Sequence, residues 1–176
     1  MKSNILKFGL NAGVIIVLIP VLGELIIGYG PASFKTGEII GYATMILSLM
    51  MIFLAVKEYQ QRNPKVTLGF TKIFIIGAGI SFIAGLMFGI YDVIYVSYIH
   101  PEFMQDYYMY YVQSIRDSGI SQVEIESQLA KLEQEKALFM NPLFNFFLMF
   151  ITVFLIGLVV SLLSGLFQRE KQALTT

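Results

Sequence analysis

Residues 72–99 read KIFIIGAGISFIAGLMFGIYDVIYVSYI, an apolar stretch that carries a single carboxylate, Asp92. A helix needs about 20 such residues to cross the roughly 30 Å hydrocarbon core of a membrane. At a rise of about 1.5 Å per residue this stretch would be about 42 Å long, so we expect it to tilt or to emerge into water. Small residues recur on it at every fourth position, and therefore on one face of the helix: Gly77, Ser81, Gly85 and Gly89.

Three further apolar blocks accompany this stretch, at residues 8–27, 39–56 and 143–167. Only 14% of the 176 residues are charged, against about 25% in soluble domains, and the mean hydropathy is +0.71. Long apolar runs favour helices, which satisfy their own backbone groups, over barrel strands of about 10 alternating residues. We predict an all-α fold, a four-helix transmembrane bundle that forms a single domain over residues 1–176. The predicted transmembrane helices span about residues 8–28, 38–57, 71–99 and 142–167.

A polar segment, about residues 101–140, separates the third block from the fourth. Gly119 is a helix stop signal in its middle, and Ser121 with Glu124 fits a capping box at the start of a second helix. The segment therefore predicts an αα-hairpin between transmembrane helices 3 and 4. The first of its helices carries an apolar face at every fourth residue: Phe103, Tyr107, Tyr111 and Ile115.

Helix starts are predicted at two further places. Thr36 is the expected N-cap of the second transmembrane helix, with Glu38 in the first turn. Asn141 is the expected N-cap of the fourth, because Pro142 suits the first helical position.

The basic residues predict the orientation of the bundle. If four helices alternate in direction, eight of the twelve Lys and Arg residues lie on one side. Short basic loops stay in the cytoplasm, so we expect both termini to be cytoplasmic and the hairpin to be extracytoplasmic. The eight residues are Lys2, Lys7, Lys57, Arg62, Lys65, Lys72, Arg169 and Lys171.

Asp92 is the leading candidate for a functional side chain, and Glu24 is the second. Asp92 follows Gly85 by seven residues and therefore shares the face of small residues. Carboxylates within a membrane usually face the bundle interior and mark ion or proton paths, and two of them close together tend to share a proton. The alternatives are that Asp92 fixes helix packing through hydrogen bonds, and that one or both groups are solvated at the membrane interface.

The small residues are interpreted as helix-packing positions, because they allow two backbones to approach closely. Homodimer formation is the alternative interpretation. The same spacing occurs at Gly9 and Gly13 and at Gly37 and Gly41. The packing set on the third and fourth helices is Gly77, Ser81, Gly85, Gly89, Gly157, Ser161 and Gly165.

Motifs for catalysis and cofactor binding are missing from the sequence. It has no Cys and one His, His100, which excludes thiolate and His-cluster metal sites. No P-loop, H-E-x-x-H, G-x-S-x-G or dinucleotide-binding pattern is present. We expect no enzymatic activity, no cofactor and no bound metal, and the acidic hairpin argues against nucleic acid as a partner.

Several phrases of the sequence, taken in order, resemble the DUF4199 family of uncharacterised four-helix membrane proteins that is common in Bacteroidota. The resemblance covers nearly the whole chain and implies an integral protein of the bacterial inner membrane, with no activity or catalytic residue to transfer. The matching phrases are Gly41-Tyr42 with Met45, Lys57 with Tyr59, Gly69-Phe70, Pro101-Glu102-Phe103, Ser118-Gly119 with Glu124-Ile125, and Gly157-Leu158 with Ser161-Leu162.

Two functional expectations follow. The first, which the sequence favours, is a structural or accessory protein of the cell envelope that binds the lipid bilayer and acts through its hairpin, on a protein partner or by self-association. The alternative is a small proton- or cation-coupled transporter that uses Asp92 and Glu24. A water-accessible cavity at these two carboxylates would favour the transporter.

Overall fold

The computed structural model describes residues 1–64, 66 and 68–173, with side chains described as far as residue 167. Lys65 and the side chains of Arg169 and Lys171, which contributed to the predicted orientation, lie outside the described residues. The described elements are all helical, as the composition predicted. They are α1 (Lys2–Ile27), α2 (Pro31–Leu49), α3 (Met51–Arg62), α4 (Phe70–Ile94), a π-helical turn (Tyr95–Ile99), α5 (Phe103–Arg116), α6 (Gln122–Phe139) and α7 (Pro142–Ala173).

Four helical spans in the described part of the chain are long and apolar enough to cross a membrane. The second span combines α2 and α3, and the third combines α4 with the π-helical turn. This confirms the prediction of four such helices. The spans are Lys2–Ile27, Pro31–Arg62, Phe70–Ile99 and Pro142–Phe167.

The start of α2 differs from the prediction. The helix begins at Pro31, directly after Gly30 with φ +144°, and not near residue 38. The fixed φ of proline suits the first helical turn, where the missing N–H group has no partner to lose. Thr36 therefore lies inside α2, and its predicted role as the N-cap is wrong.

The predicted start of α7 is confirmed. The Asn141 side-chain oxygen accepts hydrogen bonds from the backbone N–H groups of Leu143 at 2.9 Å and Phe144 at 3.4 Å. Pro142 follows at the first helical position.

Helix α4 is the centre of the bundle and makes its most extensive contacts with α7 and then with α1. The α4–α7 contact is reciprocal, because a Cβ atom added at Gly77 would collide with Ser161, and one added at Gly157 would collide with Ser81. Each of these serines donates a hydrogen bond to the carbonyl of the glycine four residues earlier on its own helix, at 2.6–2.7 Å.

The α4–α7 contact continues along the other small residues. A Cβ atom at Gly85 would lie 2.9 Å from the Phe150 carbonyl oxygen, and one at Gly89 would lie 2.9 Å from the Phe146 ring. Gly165 faces the ring of Phe70 in the same way, at 2.7 Å.

The apolar core fills the half of the bundle that holds the start of α1, the end of α3 and the start of α4. Its fully buried members include residues from all four spans, so no helix of the bundle packs independently of the others. They include Ile16, Leu49, Ile52, Val56, Ile73, Ile76, Ile80 and Val153.

Helices α5 and α6 lie at the opposite end of the bundle. They contact each other, α5 also contacts α2, and α6 contacts α7. Tyr108 on α5 donates a hydrogen bond to Glu133 on α6, and the Lys136 ammonium lies 4.4 Å from the centre of the Tyr108 ring. Neither helix contains a buried residue, so this layer is held far less tightly than the core.

Candidate functional site

A cavity of about 420 Å³ opens between α1, α2, α4 and α7, beneath α5. It adjoins the apolar core, whose members Met45 and Phe88 also line the cavity, and extends from there toward α5. Most of its wall is aliphatic or aromatic, and its acidic side chains come from three helices. They are Glu24 on α1, Glu38 on α2 and Asp92 on α4.

Glu24 is hydrogen-bonded through both of its oxygens. The Tyr95 hydroxyl donates to Oε2 at 2.8 Å, and the His100 ring Nε2 lies 2.6 Å from Oε1. The π-helical turn brings these two partners to one place, because the His100 backbone N–H closes the turn on the Tyr95 carbonyl at 2.8 Å. Glu24 is therefore tied to the end of α4 and has no oxygen without a partner.

Asp92 is placed differently. It also lines the cavity, one helical turn before Tyr95, but its buried Oδ2 has no hydrogen-bond partner among the described residues. Buried polar atoms are nearly always paired, and an exception calls for an explanation such as an ion or a functional role. Asp92 is thus the carboxylate of the cavity with a buried oxygen that lacks a partner among the described residues.

Glu38 anchors α5 over the cavity. The hydroxyls of Tyr107 and Tyr111 both donate to its Oε1, the second at 3.1 Å. Burial first, and then the hydrogen bond to Glu38, raise the pKa of Tyr107 well above its usual value. This hydroxyl therefore remains a donor throughout the physiological pH range.

A second contact holds α5 to the turn between α1 and α2. The Tyr29 hydroxyl donates to Asp106 Oδ2 at 2.8 Å, and the Tyr29 ring stacks on His100 with 4.2 Å between the ring centres. Burial and the nearby Asp106 raise the pKa of Tyr29 as well. Tyr29 thereby connects α5 to the group that holds Glu24.

One wall of the cavity is a continuous row of aromatic rings. Consecutive ring centres are 5.8 Å apart from Tyr91 to Tyr95, 5.2 Å from Tyr95 to Phe103 and 5.5 Å from Phe103 to Tyr107. All of these residues, with Phe88, line the cavity. The faces of such rings are negative in electrostatic potential and attract cations.

No lysine or arginine is among the residues that line the cavity in the described part of the chain. Within the same residues, no group of three His, Cys, Asp or Glu side chains is arranged to hold a metal ion. The arrangement can accept a proton or hold a positively charged group, and its charge is not balanced by a basic side chain in the wall.

The structure places Asp92 and Glu24 in the wall of one cavity, and no hydrogen bond joins them. Sequence reasoning missed the roles of Glu38, His100 and Tyr95. Glu38 was interpreted only as a first-turn residue, and a π-helical turn gives no sequence signal that would have paired His100 with Tyr95.

The Gly37–Gly41 pair has the same spacing as the packing glycines but contacts no other helix in the described part of the chain. Nothing lies within 4 Å of a Cβ atom added at either position, and both glycines line the cavity. The Gly9–Gly13 pair does contact α4, at Ile83 and Met87.

The four apolar spans and the cavity between them define a protein of the membrane-spanning helical class. Its family is also established: the chain belongs to the family described as "Protein of unknown function (DUF4199)", which matches residues 7–170. No curated protein and no solved structure shows significant similarity to the chain.

Proposed function

We propose that this protein is a small proton- or cation-coupled transporter in which Asp92 and Glu24 bind the coupling ion. The observation that carries the proposal is the cavity of about 420 Å³ that both carboxylates line. A cavity at these residues is the feature that separates a transporter from a purely structural protein, and it therefore favours the transporter.

The two carboxylates have different environments, which suits different roles. Glu24 is fixed by Tyr95 and His100, so it can shape the site and respond to the charge of His100. Asp92 has an oxygen without a partner and can exchange a proton or a cation without breaking a hydrogen bond that holds the fold.

The orientation that we propose has both termini in the cytoplasm of a bacterium, with the protein in its inner membrane. The positive-inside rule supports it, because Lys2, Lys7, Lys57, Arg62 and Lys72 are at the end of the bundle that holds the termini. In this orientation α5 and α6 form the extracytoplasmic hairpin, and the cavity lies on the extracytoplasmic side of the membrane.

Proton flux into liposomes that contain the purified protein tests the proposal. A pH-sensitive dye inside the liposomes should report a flux that Asp92→Asn abolishes and Glu24→Gln reduces at least about tenfold, since removal of a group that acts directly is expected to have effects of this size. Asp117→Asn is the matched control, because Asp117 is exposed and lies outside the cavity. Equal flux in the wild type, Asp92→Asn and protein-free liposomes would refute proton coupling.

A second candidate is an accessory protein of the envelope that acts through α5 and α6. The observation in its favour is that α6 exposes apolar side chains, with Val123 78% and Leu138 53% exposed. If this surface binds a protein partner or a second copy of the chain, Val123→Lys together with Leu138→Lys should abolish a crosslink that the wild type forms in native membranes. Unchanged crosslinks would argue against it. Both candidates are non-enzymatic and need no cofactor.

A further inference from the structure

We propose that the ligand of the cavity is an organic cation with an apolar body, and that Asp92 is its anionic anchor. The inference rests on the proposed function for the site and deepens it, because it names the class of substrate. It follows from the charges, the hydrogen bonds and the shape of the cavity.

The distribution of hydrogen bonds selects Asp92 as the anchor. Both oxygens of Glu24 have partners. Glu38 accepts from two tyrosine hydroxyls through Oε1 and has no buried oxygen that lacks a partner among the described residues. Asp92 retains a buried oxygen without a partner, and no basic side chain of the described wall compensates its charge. A buried charge is stable only when it is paired, and a ligand with one positive charge would supply the missing partner.

The chemistry of the wall favours an organic cation over a divalent metal ion. Calcium and magnesium ions take six or more oxygen ligands, and the described residues contain no group of three acidic or His side chains that could begin such a shell. The wall instead presents Phe88, Tyr91 and Tyr95 beside Asp92. Aromatic rings around a carboxylate are a recurrent way of binding alkylammonium groups.

The shape of the cavity provides space for an apolar body. Gly37 and Gly41 have nothing within 4 Å of an added Cβ atom, so the α2 side of the cavity is open. The wall is mostly apolar, with Ile40, Met45 and Leu148 among its members. Pockets that bind small molecules are commonly apolar, with a few polar groups that fix the orientation of the ligand.

Benzyltrimethylammonium is a suitable probe, because it joins a permanent positive charge to an aromatic ring. Isothermal titration of the purified full chain in lipid nanodiscs should show saturable binding of this probe. Neopentylbenzene, its uncharged isostere, should compete at least about tenfold more weakly, since the cation gains attraction to both the carboxylate and the rings. Tetramethylammonium, which lacks the ring, should also bind more weakly.

Two variants test the anionic anchor, Asp92, and the open space beside Gly41 separately. Asp92→Asn should weaken binding of the probe at least about tenfold, because it removes the charge and keeps the shape. Asp92→Glu should retain part of the affinity, and the exposed control Asp117→Asn should retain all of it. Gly41→Leu should also weaken binding at least about tenfold by filling the cavity, and Gly41→Ala should have a smaller effect. Gly41 touches no carboxylate and no packed neighbour, so this variant tests the site even if Asp92→Asn does not fold.

The outcomes distinguish this inference from the proposed function. If the probe binds wild type and Asp92→Asn equally, or if Gly41→Leu leaves its affinity unchanged, the cavity is not the organic-cation site and the inference is wrong. If the probe fails to bind while proton flux still depends on Asp92, the inference fails and the coupled transporter stands. If the probe binds through Asp92 but neither it nor protons cross the membrane, the binding site stands and the transport function fails.

Discussion

The glycines of α4 and those of α2 have the same spacing and opposite surroundings. At Gly77 and Gly85 the chain is so close to α7 that an added Cβ atom would collide with Ser161 or with the Phe150 carbonyl. At Gly37 and Gly41 an added Cβ atom would meet nothing within 4 Å. Small residues on α4 bring helices together, whereas on α2 they keep space free.

This difference divides the molecule into two halves along its long axis. The half with the chain termini is filled by side chains such as Ile52, Ile76 and Val153, which are completely buried. The half beneath α5 contains a cavity, three carboxylates and a row of tyrosines. The first half has the composition of a folding core, and the second has the composition of a binding site.

The largest expected effect distinguishes the two kinds of glycine directly. Gly77→Leu should lower the free energy of unfolding by about 3 kcal/mol, because overpacking of a close helix contact forces the helices apart. Gly41→Leu should leave this free energy unchanged or raise it by up to about 1 kcal/mol, because leucine is the better helix former. Denaturant-induced unfolding in detergent micelles, followed by circular dichroism, measures both values. If the two variants are equally stable, the contrast between the two halves is wrong.

The second effect contrasts the two carboxylates. Glu24→Ala should cost about 2 kcal/mol, because the Tyr95 hydroxyl and the His100 ring lose their acceptor. Asp92→Asn should cost less than about 0.5 kcal/mol, since its Oδ2 has no partner in the fold to lose. The same unfolding assay measures the difference.

An equal loss of stability in Glu24→Ala and Asp92→Asn would show that Asp92 is a structural hydrogen-bonding group. That is the alternative interpretation left open by the sequence, and it would also remove the main support for Asp92 as a ligand anchor. Glu126→Ala is a suitable control, because Glu126 is exposed on α6 and its side chain accepts a hydrogen bond only from Gln122 among the described residues.

Sequence reasoning was strongest in the tightly packed half. The length of the apolar runs predicts the four spans. The four-residue spacing of Gly77 and Ser81 on α4, and of Gly157 and Ser161 on α7, predicts faces on which helices approach closely. Both patterns are local in sequence and repeat along one helix, so each can be recognised without knowing the partner helix. The cap at Asn141 was predictable for the same reason.

The cavity half was harder to predict, because its properties depend on which helix faces which. Gly37 and Gly41 carry the same pattern as the packing glycines, and only the position of α2 in the bundle shows that they face open space. Helix α2 begins at Pro31, about one and a half turns before Thr36, the N-cap predicted from the sequence. The hydrogen bond between His100 and Glu24 joins residues 76 positions apart, and no local pattern encodes it.

A third, smaller effect concerns the tyrosines that hold α5 over the cavity. Their pKa values are raised above the usual value of about 10, so the folded protein keeps their protons at a pH where the unfolded chain loses them. Stability is therefore complete below about pH 10 and falls as the pH rises further. We expect a loss of less than about 1 kcal/mol between pH 10 and pH 11, attributed mainly to Tyr107, because this half-buried group is partly screened by solvent and the more exposed Tyr29 is screened further.

Unfolding measured at several pH values, together with the ultraviolet absorbance of ionised tyrosine, tests this effect. Tyr107→Phe should reduce the loss of unfolding free energy above pH 10, whereas the control Tyr98→Phe, at an exposed tyrosine, should leave this loss unchanged. If the wild type and Tyr107→Phe lose stability equally as the pH rises, the hydrogen bond to Glu38 does not hold α5 in place.

The smallest effect is expected at the start of α6. The Ser121 side chain accepts a hydrogen bond from the Glu124 backbone N–H at 3.4 Å, which is long for such a bond. Removal of an N-cap costs about 1 kcal/mol on average, so Ser121→Ala should cost less than about 0.5 kcal/mol. Since α6 has no buried residue, this loss should remain local. Amide hydrogen exchange should accelerate in the first turn of α6 and stay unchanged in α4, whereas faster exchange in both helices would show that α6 supports the packed half of the bundle.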